Sequence, residues 1–340
     1  MKAVVKQQLG DGFVDLVDVP EPQLEPGTVL LAPGAVGICG TDLQILHGRF
    51  IGYVPPVVMG HEFAGVIDSV GAGVGGLSQG DRVVSETHAY VCGECVYCRS
   101  GIYNLCPKRK GFGYGINGAF TELVRVRKDI IHKLPDGISI QEAALLEPTS
   151  VALNALTRNS RVLPGDSVLI IGPGPIGLLC LQVARLSGGR VTVAGTERSK
   201  QRLALAMKLG AERVVTDKEL TEGISDGMLK NAFDMAVMAA GDASAFETAL
   251  LAVRPAGRVV HIGETAVSAP VQLSLIEKKN LTVQGSFSHN WPVWENSISL
   301  VRSGAIDLRS LISHEFELAR WRDAFGVVEN RTGVKVLLRP

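Results

Sequence analysis

Ser167-Val-Leu-Ile-Ile-Gly-Pro-Gly-Pro-Ile-Gly177 is the stretch on which the fold turns. Five residues of apolar, strand-like character run into Gly172-x-Gly174-x-x-Gly177, and the helix-like segment 175–186 follows. Gly172 allows the tight turn. Gly174 lets the backbone approach a pyrophosphate, and Gly177 lets helix and strand pack closely. Pro175 and Ile176 complete the loop, whose amides and helix dipole then face the phosphates. Alone, the pattern is equally a glycine-rich turn. Its surroundings decide the reading. Strand-like runs at 168–172, 190–194, 212–216, 233–239, 257–262 and 280–287 alternate with helix-like 175–186, 199–209 and 243–253. Six apolar strands with intervening helices predict a doubly wound parallel sheet of Rossmann type, the α/β class, over residues 150–289.

At the end of the second strand the chain reads Val193-Ala-Gly-Thr-Glu-Arg198. Glu197 is placed to hold ribose hydroxyls, which predicts NAD. Arg198 beside small Gly195 and Thr196 offers the alternative, a 2′-phosphate and NADP. Arg202 is a further cofactor-binding candidate on the next helix. A solvated helix start capped by Thr196 or Ser199 is the plainer reading of this segment.

Upstream, residues 1–149 are rich in Val, Gly and Pro. Runs at 2–6, 29–32, 63–70 and 82–85 are broken by Pro26-Gly27, Gly71-Ala-Gly73 and Gly80-Asp81. This predicts a β-rich, barrel-like domain. Beyond about 289, helix-like 291–303 and 318–329 precede a strand-like 334–338.

Composition narrows the partners. The 340 residues carry 34 Lys+Arg against 34 Asp+Glu, which argues against nucleic acid. A hydrophobic share of 46% supports sizeable cores. No apolar run is long enough for a membrane span, and the opening Met1-Lys-Ala-Val-Val-Lys6 has no secretory h-region. Reduced thiols in the cytoplasm are therefore expected.

Two groups of metal-ligating residue types stand out. Cys92, Cys95, Cys98 and Cys106 are spaced C-x2-C-x2-C-x7-C, which predicts a closed, structural four-thiolate zinc site. The second group is scattered: Cys39 in Cys39-Gly-Thr-Asp42, His61-Glu62 after Gly60, and Glu147 before Pro148. A lone cysteine is more often core than ligand, and a lone histidine more often a satisfied buried side chain. Together they form a mixed set able to leave one position open, as catalytic zinc sites do. Asp42 is either a partner for the His61 ring or a first-turn helix acid.

These residues together resemble the zinc-dependent medium-chain dehydrogenases, over almost the whole chain. The resemblance rests on Cys39-Gly-Thr-Asp42, Gly60-His61-Glu62, Gly80-Asp81-Arg82-Val83, the four-cysteine loop, Glu147-Pro148 and Gly172–Gly177. Glu147-Pro148 and His61-Glu62 look more like the sorbitol and threonine dehydrogenase branch than the ethanol branch. The resemblance implies a GroES-like first domain completed by residues 290–340, and a dimer or tetramer. It implies two zincs per chain, one held by the four cysteines. Cys39, His61 and Glu62 would ligate the other, with Glu147 reaching it directly or through water. A zinc there would polarise a secondary alcohol (a polyol, sugar alcohol or amino alcohol), and nicotinamide would take the hydride. Thr41 would hydrogen-bond the reacting oxygen, with His61 and Glu147 the other catalytic candidates.

The chain departs from the family pattern at Gln44, where many members carry a proton-relaying histidine. His47 is a possible substitute; Thr41, zinc-bound water and Glu147 offer another route. Phe50, Ile51, Tyr53, Phe112, Tyr114, Phe287 and Trp291 are candidates for a substrate cleft, although aromatics are usually core. Arg49 and Lys335 are candidates to meet an anionic substrate, although exposed, solvated side chains are the plainer expectation for both. A zinc-independent reductase of activated double bonds and a nucleotide-binding relative without turnover are the rival readings.

Overall fold

The computed structural model describes residues 1–241, 244–263, 268 and 270–340. The chain divides into two compact units, Met1–Glu147 with His289–Pro340, and Pro148–Ser288. His289, at the boundary expected from sequence, falls in the first unit.

The first unit opens with β1 (Lys2–Lys6), β2 (Val14–Asp18), β3 (Thr28–Gly37), β4 (Val57–Val58), β5 (Glu62–Val70), β6 (Arg82–Ser85), β7 (Val124–Arg127) and β8 (Ile131–Lys133). In the second follow β9 (Ser167–Ile171), β10 (Arg190–Gly195), β11 (Arg213–Thr216), β12 (Phe233–Met238), β13 (Val253–His261) and β14 (Thr282–Gly285). The chain then returns to the first unit with β15 (Ile312–Glu317) and β16 (Lys335–Arg339).

In the second unit the described strands form a parallel sheet in the order β11-β10-β9-β12-β13-β14. Counted from its first strand this is 3-2-1-4-5-6, and the order reverses between β9 and β12. Leu169, Ala194, Ala236 and Val259 are buried. Near-continuous apolar strands are what a sheet covered on both faces requires. The helix expected at 243–253 runs Ser244–Ala252, and Ala243 lies outside the described residues.

In the first unit, one sheet runs β15-β16-β3-β5-β6-β8, with β7 also on β3, and a smaller one runs β2-β1-β4. β16 pairs antiparallel with β3, Leu337 opposite Gly37. The helix Trp321–Glu329 buries Trp321 and Phe325 in the same core as Phe63 and Phe120.

Among the elements not anticipated from sequence are the helices Leu146–Leu153 and Asp217–Ser225, and β15. Thr216 caps the second helix reciprocally with Glu219, a T-x-x-E signal hidden because Thr216 also ends a strand. β15 alternates half-buried and exposed residues and takes its hydrogen bonds from β16, a partner no local pattern announces. No helix among the described residues is long and apolar enough to cross a membrane.

Candidate active site

The site is built where β3 ends and β5 begins. The antiparallel register sets Glu62 opposite Gly37. Gly60, at φ +89, makes the turn into His61-Glu62, and a Cβ there would meet the Phe120 ring at 2.7 Å. Two residues past β3, Cys39 starts the helix Gly40–Leu46, and Asp42 Oδ2 accepts the Cys39 N–H at 2.9 Å. Cys39, His61 and Glu62 consequently offer one ligand atom each, all within 4.8 Å of one another. Cys39 is a free thiol, and His61 and Glu62 are 6% and 1% exposed.

This donor set fits zinc. A thiolate, an imidazole and a carboxylate are borderline-soft ligands, and three of them leave a fourth position open. Asp42 Oδ1 and His61 Nδ1 are buried without hydrogen-bond partners and face each other at 3.7 Å. Asp42 therefore takes the helix-capping role in full and acts on His61 through its charge. Burial pulls His61 toward its neutral form. Asp42 and Cys39 outweigh that and hold its proton well above the ordinary histidine range.

Glu147 is not among the three converging donors. It lies in the first turn of Leu146–Leu153, buried, and its Oε1 accepts from His289 Nε2 at 3.2 Å. Burial alone would raise the Glu147 carboxyl; His289 and the charges of His61 and Lys335 bring it below the usual carboxylate range. Lys335 corrects the sequence expectation of an exposed side chain. It is 2% exposed, its ammonium sits against Glu62 Oε2, and it donates to the Ile38 carbonyl at 3.0 Å. The pairing of β16 with β3 draws it inward, and Gly37 has no side chain to obstruct it: a Cβ there would meet Glu62 Oε2 at 2.2 Å and Lys335 Cε at 2.7 Å.

Thr41 Oγ1 lies 3.8 Å from Cys39 Sγ, half-buried. Gln44 Oε1 is buried without a partner. His47 does not replace a relay at Gln44. Its ring nitrogens are engaged by Asp11 at 2.9 Å and Glu329 at 2.8 Å. Of the proposed cleft residues, Tyr53 and Phe112 are core, and Ile51 and Phe287 are exposed. Trp291 stacks on His132 at 3.8 Å. Tyr114 approaches the site, 6.3 Å from the His61 ring and packed edge-on against Phe50. Sequence reasoning missed Lys335, His289 and Trp294 as neighbours of this centre. For Lys335 the signal open to it was a charge inside the apolar run 334–338; His289, between Ser288 and Asn290, carried none.

The four cysteines lie together as free thiols, one ligand atom from each within 4.8 Å of the others. Cys92 Sγ is 3.9 Å from Cys98 Sγ and 3.6 Å from Cys106 Sγ. A tetrahedral zinc with bonds of about 2.3 Å would set sulfur–sulfur edges at about 3.8 Å, so the cage fits that ion. The backbone N–H groups of Glu94 and Cys95 hold the Cys92 thiol down at about 6, which favours the thiolate a metal needs.

In the second unit Gly172 takes φ +107, and a Cβ there would meet the Ala240 amide nitrogen at 2.9 Å. A Cβ on Gly177 would lie 1.9 Å from the Gly172 carbonyl oxygen, whereas one on Gly174 would meet nothing within 4 Å. Gly174 is thus open to an approaching phosphate while Gly177 closes the turn. Pro175 occupies the first helical position after Gly174, and Ile176 follows it half-buried. Glu197 lies two residues beyond β10 in a short 3-10 turn with Arg198, exposed, and pairs with Lys200 at 2.7 Å. Arg202 is half-buried on the helix Lys200–Lys208.

Residues 25–136 match the alcohol dehydrogenase GroES-like domain, and residues 175–303 match the zinc-binding dehydrogenase domain. A D-arabitol-phosphate dehydrogenase of Enterococcus avium is 37% identical, the match covering 99% of this chain and 97% of that one. A sorbitol dehydrogenase of Halalkalibacterium halodurans is 35% identical over 100% and 99%. A zinc-binding dehydrogenase of Sinorhizobium meliloti, solved with NADP, superposes with a TM-score of 0.90 at 30% identity, covering 100% and 99% of the two chains.

Proposed function

The chain belongs to the zinc-dependent medium-chain dehydrogenases, in their polyol and threonine dehydrogenase branch, and from that premise we propose how its own residues divide the work. It is an oxidoreductase that moves a hydride between a secondary alcohol and NAD(P). The rival readings, a zinc-independent enone reductase or a relative without turnover, find no support among these relatives.

The observation that carries the assignment is the convergence of Cys39, His61 and Glu62 in one corner. These three would hold the catalytic zinc, which supplies charge stabilisation at the alcohol oxygen and makes its proton easier to remove. Thr41, beside Cys39, is suited to accept that proton's hydrogen bond and orient the oxygen. Glu147, buried, anionic and hydrogen-bonded by His289, is the group suited to receive the proton or hold a water that does. Asp42 keeps His61 oriented by charge, and Lys335 balances Glu62. Cys92, Cys95, Cys98 and Cys106 would hold a second, structural zinc.

For the cofactor we propose NAD over NADP. Glu197 is free to turn to a ribose, because an exposed ion pair such as Glu197–Lys200 is worth only about 0–1 kcal/mol. Gly172, Gly174 and Gly177 would receive the pyrophosphate, with Pro175 and Ile176 shaping the loop and Arg198 and Arg202 flanking it. For the substrate we propose a polyol or sugar alcohol, free or phosphorylated, as the names of the two relatives suggest. A homo-oligomer, dimer or tetramer, in the cytoplasm completes the reading. Its supports are the family likeness and six free cysteines.

The test is a screen of zinc-loaded protein against polyols, polyol phosphates, amino alcohols and simple secondary alcohols with each cofactor, following nicotinamide reduction. Turnover of a polyol with NAD is the expected result. A preference for simple primary alcohols, or higher kcat/KM with NADP, overturns the corresponding part.

A further inference from the structure

Beside the converging donors lies a buried cluster of which the reading above uses only the His289 bond to Glu147: Glu86, Thr87, His88, His289 and Trp294. Glu86, His88 and His289 each bring a potential ligand atom within 4.8 Å of the others, as a third metal site would. Hydrogen-bond accounting rules that out. Trp294 Nε1 lies 2.7 Å from His289 Nδ1. An indole N–H only donates, so His289 Nδ1 must be the acceptor, and the ring proton sits on Nε2. That N–H has Glu147 Oε1 as its nearer acceptor at 3.2 Å, with Thr87 Oγ1 at 3.5 Å.

His88 is fixed in the same way. Arg109 Nε lies 2.7 Å from His88 Nδ1 and can only donate. His88 Nε2 therefore carries the proton and donates to the His289 carbonyl at 2.9 Å. Neither imidazole keeps a lone pair for a metal. Glu86 in turn accepts from the Tyr103 hydroxyl at 2.8 Å.

We propose that His289 is a positioning residue for Glu147, with its tautomer set by the Trp294 indole. The inference rests on the reading that Glu147 serves the reacting centre. One Glu147 oxygen is tied to a ring that is itself anchored at Nδ1 and at its backbone carbonyl. The other oxygen is left to the alcohol's proton, a water or the metal. His289 cannot relay a proton in this state, because taking one on Nδ1 would break the Trp294 bond. It orients, and it selects one of two carboxylate oxygens. Outer partners of this kind are typically worth roughly 10–100-fold in activity or metal affinity.

The test combines four variants with a readout independent of turnover. In metal-free protein labelled with 15N-histidine, His289 should show the Nε2–H tautomer, and Trp294→Phe should shift it toward a mixture. In zinc-loaded protein, His289→Leu should lower kcat roughly 10–100-fold while KM for alcohol and cofactor stays within about threefold. His289→Gln, which can still donate, should recover a substantial part. If His289→Leu fails to fold, Trp294→Phe, which keeps the aromatic bulk, decides the matter through its tautomer and kcat. An Nδ1–H tautomer or an imidazolium in the native protein overturns the inference, as does a kcat within twofold of native in the folded variants. Glu147→Gln separates the two levels. Full turnover in it removes the role of Glu147 and the inference with it. Slow Glu147→Gln beside native-like His289→Leu removes the positioning alone.

Discussion

Replacing Lys335 by methionine isolates the electrostatics of the site. Lys335 and Glu62 are 2% and 1% exposed, and each is the other's principal counter-charge. Burial raises the Glu62 carboxyl, and the Lys335 ammonium opposes that rise. Removing one member of such a pair strands the other, at a cost of about 3–5 kcal/mol. Glu62 has one escape, which is to take up a proton. From an unfolded value near the ordinary one, that costs about 4 kcal/mol at pH 7 but only about 1 kcal/mol at pH 5. Lys335→Met should therefore lower the melting temperature of metal-free protein by about 6–16 °C at pH 7 and by far less at pH 5. Zinc changes the outcome, since a dication beside Glu62 supplies the missing counter-charge. With zinc restored, the gap between variant and native protein at pH 7 should close by more than half. The assay is thermal denaturation followed by circular dichroism, on chelator-stripped and zinc-reloaded samples of both proteins at both pH values. Stripping removes any structural zinc from both alike, so the comparison isolates Glu62. A gap that is the same with and without zinc would refute Glu62 as a ligand. A gap under 1 °C would refute the pair's importance.

Cys39→Ser or His61→Ala should cut kcat at least about a thousandfold while nicotinamide fluorescence still reports native cofactor affinity; near-native turnover in either removes the catalytic-zinc reading. Cys98→Ser should reduce metal content from two zincs per chain to one and lower the melting temperature markedly. Unchanged metal analysis and stability would count against a structural zinc. The nucleotide loop offers a paired test. Gly174→Val, facing open space, should keep native stability and weaken cofactor binding at least about tenfold by titration, because a side chain there obstructs the backbone's approach to phosphate. Gly177→Ala, 1.9 Å from the Gly172 carbonyl, should destabilise the second unit itself. Equal behaviour of the two variants would contradict the geometry.

The sequence by itself determined what is local. Gly172, Gly174 and Gly177 share one turn, and the four cysteines share one loop. A handful of bonds limits where such residues can go, and spacing then reports geometry directly. Periodic apolar runs announced the sheet for the same reason. The tertiary structure alone decided which distant groups meet. Cys39, His61 and Glu62 are joined by the β3–β5 register, and Lys335 arrives through β16. His289 reaches Glu147 across 142 positions. Those neighbours follow from strand pairing and chain return, and no spacing along the chain encodes them. Burial follows the same rule. Lys335 reads as a surface charge in sequence because nothing local reveals that an equally buried carboxylate awaits it. His47 reads as a spare relay until two carboxylates are found already holding its ring.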